Sequence, residues 1–140
     1  MMGDNIFFHS ECEFEPQNTQ KRSKWIEGTI CQEEKEIGEL NYIFCSDEYL
    51  LEKNQEFLDH NTYTDIITFD YCVGGVISGD VFISIDRVKE NANTFKVDFN
   101  DELDRVLIHG ALHLIGYQDK TKEEQKQMRA KEDFYLSLRP

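Results

Sequence analysis

The residues able to do chemistry concentrate in one run, Val106-Leu107-Ile108-His109-Gly110-Ala111-Leu112-His113-Leu114-Ile115-Gly116-Tyr117-Gln118-Asp119. On a helix, residues four apart lie only ~40° apart around the axis and about one turn along it, so His109 and His113 face the same way. Two imidazoles so placed can grip one ion. Gly116 stands where a helix C-terminus needs a left-handed residue, and the reversal it permits carries Asp119 back toward the histidine face. Three protein ligands leave one position of a tetrahedral Zn2+ open to water, which is the arrangement of a catalytic site and not of a closed structural one. The pattern therefore predicts one zinc ion, or another divalent transition metal, that lowers the pKa of its water to about 7 and polarises a phosphoryl or carbonyl oxygen.

Two polar rings on one face of a helix that is apolar around nearly its whole circumference need a common reason, and a shared ion supplies it. Separate duties as core histidines bonded to backbone carbonyls, with Asp119 as a turn residue or helix cap, would leave the pairing unexplained. The spacing His-x-x-x-His-x-x-Gly-x-x-Asp resembles the ligand helix of metzincin proteases. Those proteases carry Glu directly after the first histidine as general base, and here Gly110 occupies that position. The missing side chain predicts space beside the ion for a bulkier substrate group.

The elements that must position this run begin with a strand at Ile6-Phe7-Phe8 and a helix within Gln17–Lys35, where Trp25, Ile26 and Ile30 fall at helical spacing. Leu40–Cys45 reads as a strand, and Ser46 as the N-cap of a helix carrying Tyr49, Leu50, Lys53 and Phe57. Ile66–Phe69 and, after the Gly74-Gly75 turn, the β-branched run Val76–Ile85 are further strands, the second with a bulge expected at Gly79. Helices follow at about Asp86–Phe95, Asp101–Ile115 and Thr121–Leu138. The last opens with the capping box Thr121-Lys122-Glu123-Glu124, which should help hold Asp119 in place. Strands first and helices last predict an α+β fold, a small mixed β-sheet layered against helices, with a zincin-like metal site on a buried helix.

With 140 residues, 39% of them hydrophobic and 31% charged, and no Pro/Gly linker or repeat, the chain is expected to form a single domain over residues 1–140. Fifteen basic against twenty-eight acidic residues give 15 − 28 = −13, which argues against any broad polyanion-binding surface. Lys21, Arg22 and Lys24, with Lys120 and Lys122, are the basic clusters, and suit a solvated helix face as well as a small RNA-binding patch. No apolar run approaches the ~20 residues of a membrane span, and the N-terminus lacks a secretion signal, so no membrane partner and a cytoplasmic location are expected. Cys12, Cys31, Cys45 and Cys72 form no C-x-x-C pair and are expected to be reduced, mostly buried thiols.

Two more stretches accompany the histidine run: Thr64-Asp65-Ile66-Ile67-Thr68-Phe69 after an Asn54-x-x-Phe57 helix end, and Ser78-Gly79-Asp80-Val81 opening a strand. From about Asn54 to Glu132, in order and spacing, the sequence resembles the YbeY family of metal-dependent endoribonucleases of ribosomal RNA maturation. The resemblance implies a single-strand-specific endoribonuclease acting in rRNA processing and ribosome biogenesis, hydrolysing phosphodiesters with a zinc-bound water. Its partners would be rRNA precursors and the ribosome or ribosomal proteins. Two positions depart from the family pattern. Asp119 stands where many members have His, and carboxylate oxygen also binds Zn2+. Leu58 stands where the family usually has an Arg suited to clamp a phosphate.

Further catalytic candidates are His60, as a donor or proton shuttle, and Asp80, which could orient the water or accept an imidazole N–H. Asp65 has the same two readings as Asp80, site carboxylate or turn cap, and Met128 underlies the site or fills the core. Two alternative functions share the ion. A metallopeptidase or other amide hydrolase needs a carboxylate beside the water, and a ribosome-associated binding module with a structural zinc needs a fourth protein ligand.

Overall fold

The alternating burial of β4 (Val76–Ser84), in which Ile77, Gly79, Val81 and Ile83 are buried, sets the architecture, because a strand with one face hidden must be covered by helices or loops. A computed structural model describes residues 5–58 and 65–139, with the side chains of 56–58 excepted. Around β4 the chain runs β1 (Ile6–Ser10), α1 (Thr19–Gln32), β2 (Glu36–Cys45), α2 (Asp47–Leu58) and β3 (Ile66–Asp70). After β4 come α3 (Ile85–Phe95), α4 (Phe99–Ile115) and α5 (Lys122–Ser137). The sheet order is β1-β2-β4-β3, with β1, β2 and β4 parallel and β3 antiparallel to β4. The expected α+β arrangement of a small mixed sheet against helices is what the chain adopts.

Ile6, Leu40 and Gly79 stand in register across three strands, as do Phe8, Tyr42 and Val81, so these residues share one face. That face packs on Trp25, Ile26 and Ile30 of α1 and on Leu103, Leu107 and Ala111 of α4. On the other face, Cys45, Ile67, Phe69 and Phe82 gather against Tyr49 and Leu50 of α2. Ser46 Oγ accepts from Tyr49 N–H at 3.2 Å, the N-cap expected of α2.

The bulge lies elsewhere than expected. Between two pairs in register, β2 advances from Ile37 to Leu40 while β4 advances only from Ile77 to Gly79, so the extra residue belongs to β2, at Gly38-Glu39. Gly79 has another reason to be glycine: a Cβ there would collide with the Phe69 carbonyl oxygen and meet Leu114 Cδ2 at 3.1 Å. Arg22 also leaves the predicted basic cluster. It is buried, its Nε donating to Asp104 Oδ1 at 2.8 Å and its Nη2 to Asn100 Oδ1 at 3.1 Å. Of the cysteines, all free, only Cys45 is buried; Cys12 and Cys72 are half-buried and Cys31 is exposed. No helix among the described residues is long and apolar enough to cross a membrane.

Helix α4 is packed by α1, α3, α5, β3 and β4. Between Glu102 and Leu114 every residue is buried except Arg105, His109 and His113. These three are spaced i, i+4, i+8 and form the line along which this span of the central helix meets solvent.

Candidate metal centre

The site is assembled by α4 and the reversal that ends it. Leu112 carbonyl oxygen accepts from Gly116 N–H at 3.1 Å and from Tyr117 N–H at 3.0 Å, with Gly116 at φ 128°, a conformation that L side chains rarely adopt. The chain turns back, and Asp119 Oδ2 comes to 3.3 Å from His113 Nε2 and 3.4 Å from His109 Nε2. The two rings are 4.5 Å apart, centroid to centroid, and 81° from coplanar, so their nitrogens converge without stacking. Both histidine side chains are about a fifth exposed and Asp119 two-fifths, open enough for a small solute to reach.

The start of α5 holds the other end of the loop. Glu124 N–H donates to Thr121 Oγ1 at 3.1 Å and Glu124 Oε1 accepts from Thr121 N–H at 2.9 Å, completing the expected capping box. Gln125 Nε2 donates to the Asp119 carbonyl oxygen at 3.1 Å. Between Gly116 and Asp119, the Tyr117 hydroxyl donates to Glu33 Oε1 at 2.6 Å, and Glu33 also accepts from Lys131 Nζ at 3.1 Å and from the Tyr135 hydroxyl. Burial raises the Glu33 pKa, but these three donors outweigh it and hold the carboxyl below its ordinary range.

Sequence reasoning missed Glu132. Its Oε2 lies 2.6 Å from His109 Nδ1, and its Oε1 accepts from Arg105 Nη1 at 2.8 Å. Glu132 is only 5% exposed, and on α5 it sits between Met128 and Tyr135 in the buried stripe. A lone Glu inside an otherwise apolar stripe at helical spacing was the signal available. Met128 itself is a buried member of the core cluster.

Asp80 is not brought to the histidines. Gly79 and Val81 face α4, so Asp80 points from the opposite side of the sheet, where Asp80 Oδ1 accepts from Asn41 Nδ2 at 3.2 Å. Asp65, by contrast, lies within the electrostatic field of the site. Burial raises its pKa, the His109 charge works against that, and Glu132 and Asp119 reinforce it. His60 lies outside the described residues, and so does the side chain of Leu58. Gly110 corrects another expectation. It is buried, and a Cβ on it would stand 2.9 Å from Val81 Cγ1 and 3.1 Å from Ile66 Cδ1. The missing side chain leaves no space beside the histidines; it lets α4 press onto the sheet.

The donor set fits a divalent cation. An ionised carboxylate can only accept, so Glu132 requires the proton of a neutral His109 on Nδ1, which leaves the lone pair of Nε2 pointing at Asp119 Oδ2. Acceptor then faces acceptor. A proton or a cation must lie between them, and His109, His113 and Asp119 offer three ligand atoms within 4.8 Å of one another. Burial lowers the His109 pKa, yet the bond and charge of Glu132, with Asp119 and Asp65 behind it, leave it raised, which is a measure of how strongly this spot attracts positive charge.

Known proteins resemble this chain over nearly its whole length. The family described as endoribonuclease YbeY matches residues 7–138. The Endoribonuclease YbeY of Flavobacterium psychrophilum is 51% identical over 133 residues, covering 95% of either chain. That of Cytophaga hutchinsonii is 56% identical over 136 residues, 96% of this chain and 94% of its own. The solution structure of TM1509 from Thermotoga maritima superposes with a TM-score of 0.65 at 27% identity, over 94% of this chain and 87% of that one. Identity near half, sustained from the first strand to the last helix, means that this chain belongs to the endoribonuclease YbeY family.

Proposed function

We propose that the chain is a metal-dependent endoribonuclease that cuts single-stranded segments of ribosomal RNA precursors, acting as one domain in the cytoplasm and in contact with the ribosome or its proteins. The observation that carries this reading is the convergence of His109 Nε2 and His113 Nε2 on one Asp119 oxygen, at 3.4 and 3.3 Å, in a chain of this family. A Zn2+ ion bound there would neutralise charge on a phosphoryl oxygen and acidify a bound water.

The protein's own contribution is placement. Three ligands from α4 and its turn fix where the phosphodiester must sit, and the half-open stripe along α4 admits an RNA strand from solvent. Lys120 and Lys122, exposed on either side of Thr121, are the basic groups nearest Asp119 in sequence, and supply phosphate contacts. The closeness of Gly110 to Val81 and Ile66 favours this chemistry over amide hydrolysis by the metzincin route, since a Glu side chain directly after the first histidine would have no room.

The test is cleavage of an end-labelled RNA carrying a single-stranded segment by purified protein. Cleavage should stop on chelation, return with added Zn2+, and be lost in His113→Ala. A comparable rate after chelation overturns the reading, and metal-dependent turnover of a peptide panel without RNA cleavage would replace it.

A further inference from the structure

Arg105, Glu132 and His109 form a chain of contacts that runs along the open stripe of α4 and ends at the candidate metal centre. Arg105 Nη1 donates to Glu132 Oε1 at 2.8 Å, and its Nη2 donates to Asp133 Oδ1 at 2.7 Å. The guanidinium thus grips two successive carboxylates of α5. Glu132 Oε2, 2.6 Å from His109 Nδ1, passes that restraint to the imidazole. With its side chain 6% exposed, Glu132 has little water to compete for either oxygen.

We propose that Glu132, pinned by Arg105, is the positioning residue that holds His109 in its Nδ1–H tautomer and aims Nε2 at the cation. The inference rests on the metal reading of the site and deepens it. A free imidazole rotates and exchanges its proton between two nitrogens; a carboxylate fixed at 2.6 Å from Nδ1 removes both freedoms. Asp119 meets both histidines from the loop side and, as an acceptor 3.4 Å from His109 Nε2, favours the opposite tautomer, which the shorter 2.6 Å contact of Glu132 with Nδ1 outcompetes. Among the described residues, only Glu132 favours the proton on Nδ1.

Two measurements test this. In protein labelled with nitrogen-15, after chelation and at alkaline pH where the ring is neutral, His109 should show the Nδ1–H tautomer; in Glu132→Gln the signature should shift toward a mixture. In a zinc competition titration against a chromogenic chelator, Glu132→Gln should bind about 10–100-fold more weakly than the unaltered protein. Arg105→Met, which leaves Glu132 in place but frees it, should weaken binding in the same direction and guards against a misfolded Glu132→Gln. An Nε2–H tautomer in the unaltered protein, or zinc affinity within twofold of it in both variants, overturns the inference. Failure of the unaltered protein to bind zinc overturns the metal reading instead, and the tautomer still decides whether Glu132 orients the ring.

Discussion

Gly110→Ala should destabilise the protein, although alanine is the better helix former, and Gly28→Ala supplies the internal standard. Both glycines lie inside helices, α4 and α1. At Gly28 nothing lies within 4 Å of an added Cβ, so only the helix-propensity gain of about 1 kcal/mol should register. At Gly110 the new methyl would stand 2.9 Å from Val81 Cγ1 and 3.1 Å from Ile66 Cδ1. Val81 is fully buried in a central strand and cannot step aside. Overpacking of this kind costs about 1–3 kcal/mol, so the propensity gain is cancelled or exceeded and the net change runs from about 0 to 2 kcal/mol unfavourable. The two variants should then differ by about 1–3 kcal/mol, which at a typical urea dependence of about 2 kcal/mol per molar separates their midpoints by about 1 M. Urea unfolding followed by far-ultraviolet circular dichroism measures this directly. Equal stabilisation by both substitutions would refute the claim that α4 is seated on the sheet through Gly110.

Two further perturbations address the loop that carries Asp119. Thr121→Ala removes the cap of α5 and should cost about 1 kcal/mol in thermal unfolding, while Thr121→Ser keeps the hydroxyl and should restore most of it. Glu33→Gln should lower stability at neutral pH by an amount that shrinks in acid. A carboxyl whose folded pKa is depressed stabilises the fold above its unfolded value, ordinarily 4.5, and loses that contribution as pH falls through the folded value. The urea midpoints of the two proteins should be well separated at pH 7 and draw together as pH falls below 4.5 and through the folded value; a gap that stays constant would mean that the Glu33 charge is not what the tyrosines and Lys131 stabilise.

The ligand helix was legible because its spacing is local: i, i+4 histidines and a glycine three residues later determine where each side chain goes with no knowledge of the rest of the fold. Glu132 was not, since it lies 23 residues beyond His109 and only the packing of α5 on α4 joins them. The same limit explains Gly110. An absent side chain reads as space until the neighbouring element is known, and here β4 and β3 occupy it. For Asp80 the alternation of Ser78, Asp80 and Phe82 against Ile77, Gly79 and Val81 is plain in the sequence, but a strand does not say which of its faces the histidine helix will take. Arg22 was misread because its carboxylate partner, Asp104, lies 82 residues away.

What these contacts share is the precision of a single oxygen. His109 and His113 are fixed relative to each other by the helix, whereas Asp119 reaches them through three residues of irregular chain after Gly116. Such a segment would spread over many conformations, each residue costing about 1–2 kcal/mol to order. It is restrained from three directions: the Gly116 and Tyr117 bonds to Leu112 at one end, the Thr121–Glu124 cap at the other, and Tyr117 on Glu33 at its middle. Glu33 follows α1 in the chain and touches no ligand, yet its loss frees the tyrosine two residues from Asp119. Weakening either lock should therefore lower cation affinity while leaving every ligand in place. Thr121→Ala and Glu33→Gln, titrated with zinc at pH 7, should each bind more weakly than the unaltered protein, and affinity unchanged in both would mean that Asp119 is held by the cation alone.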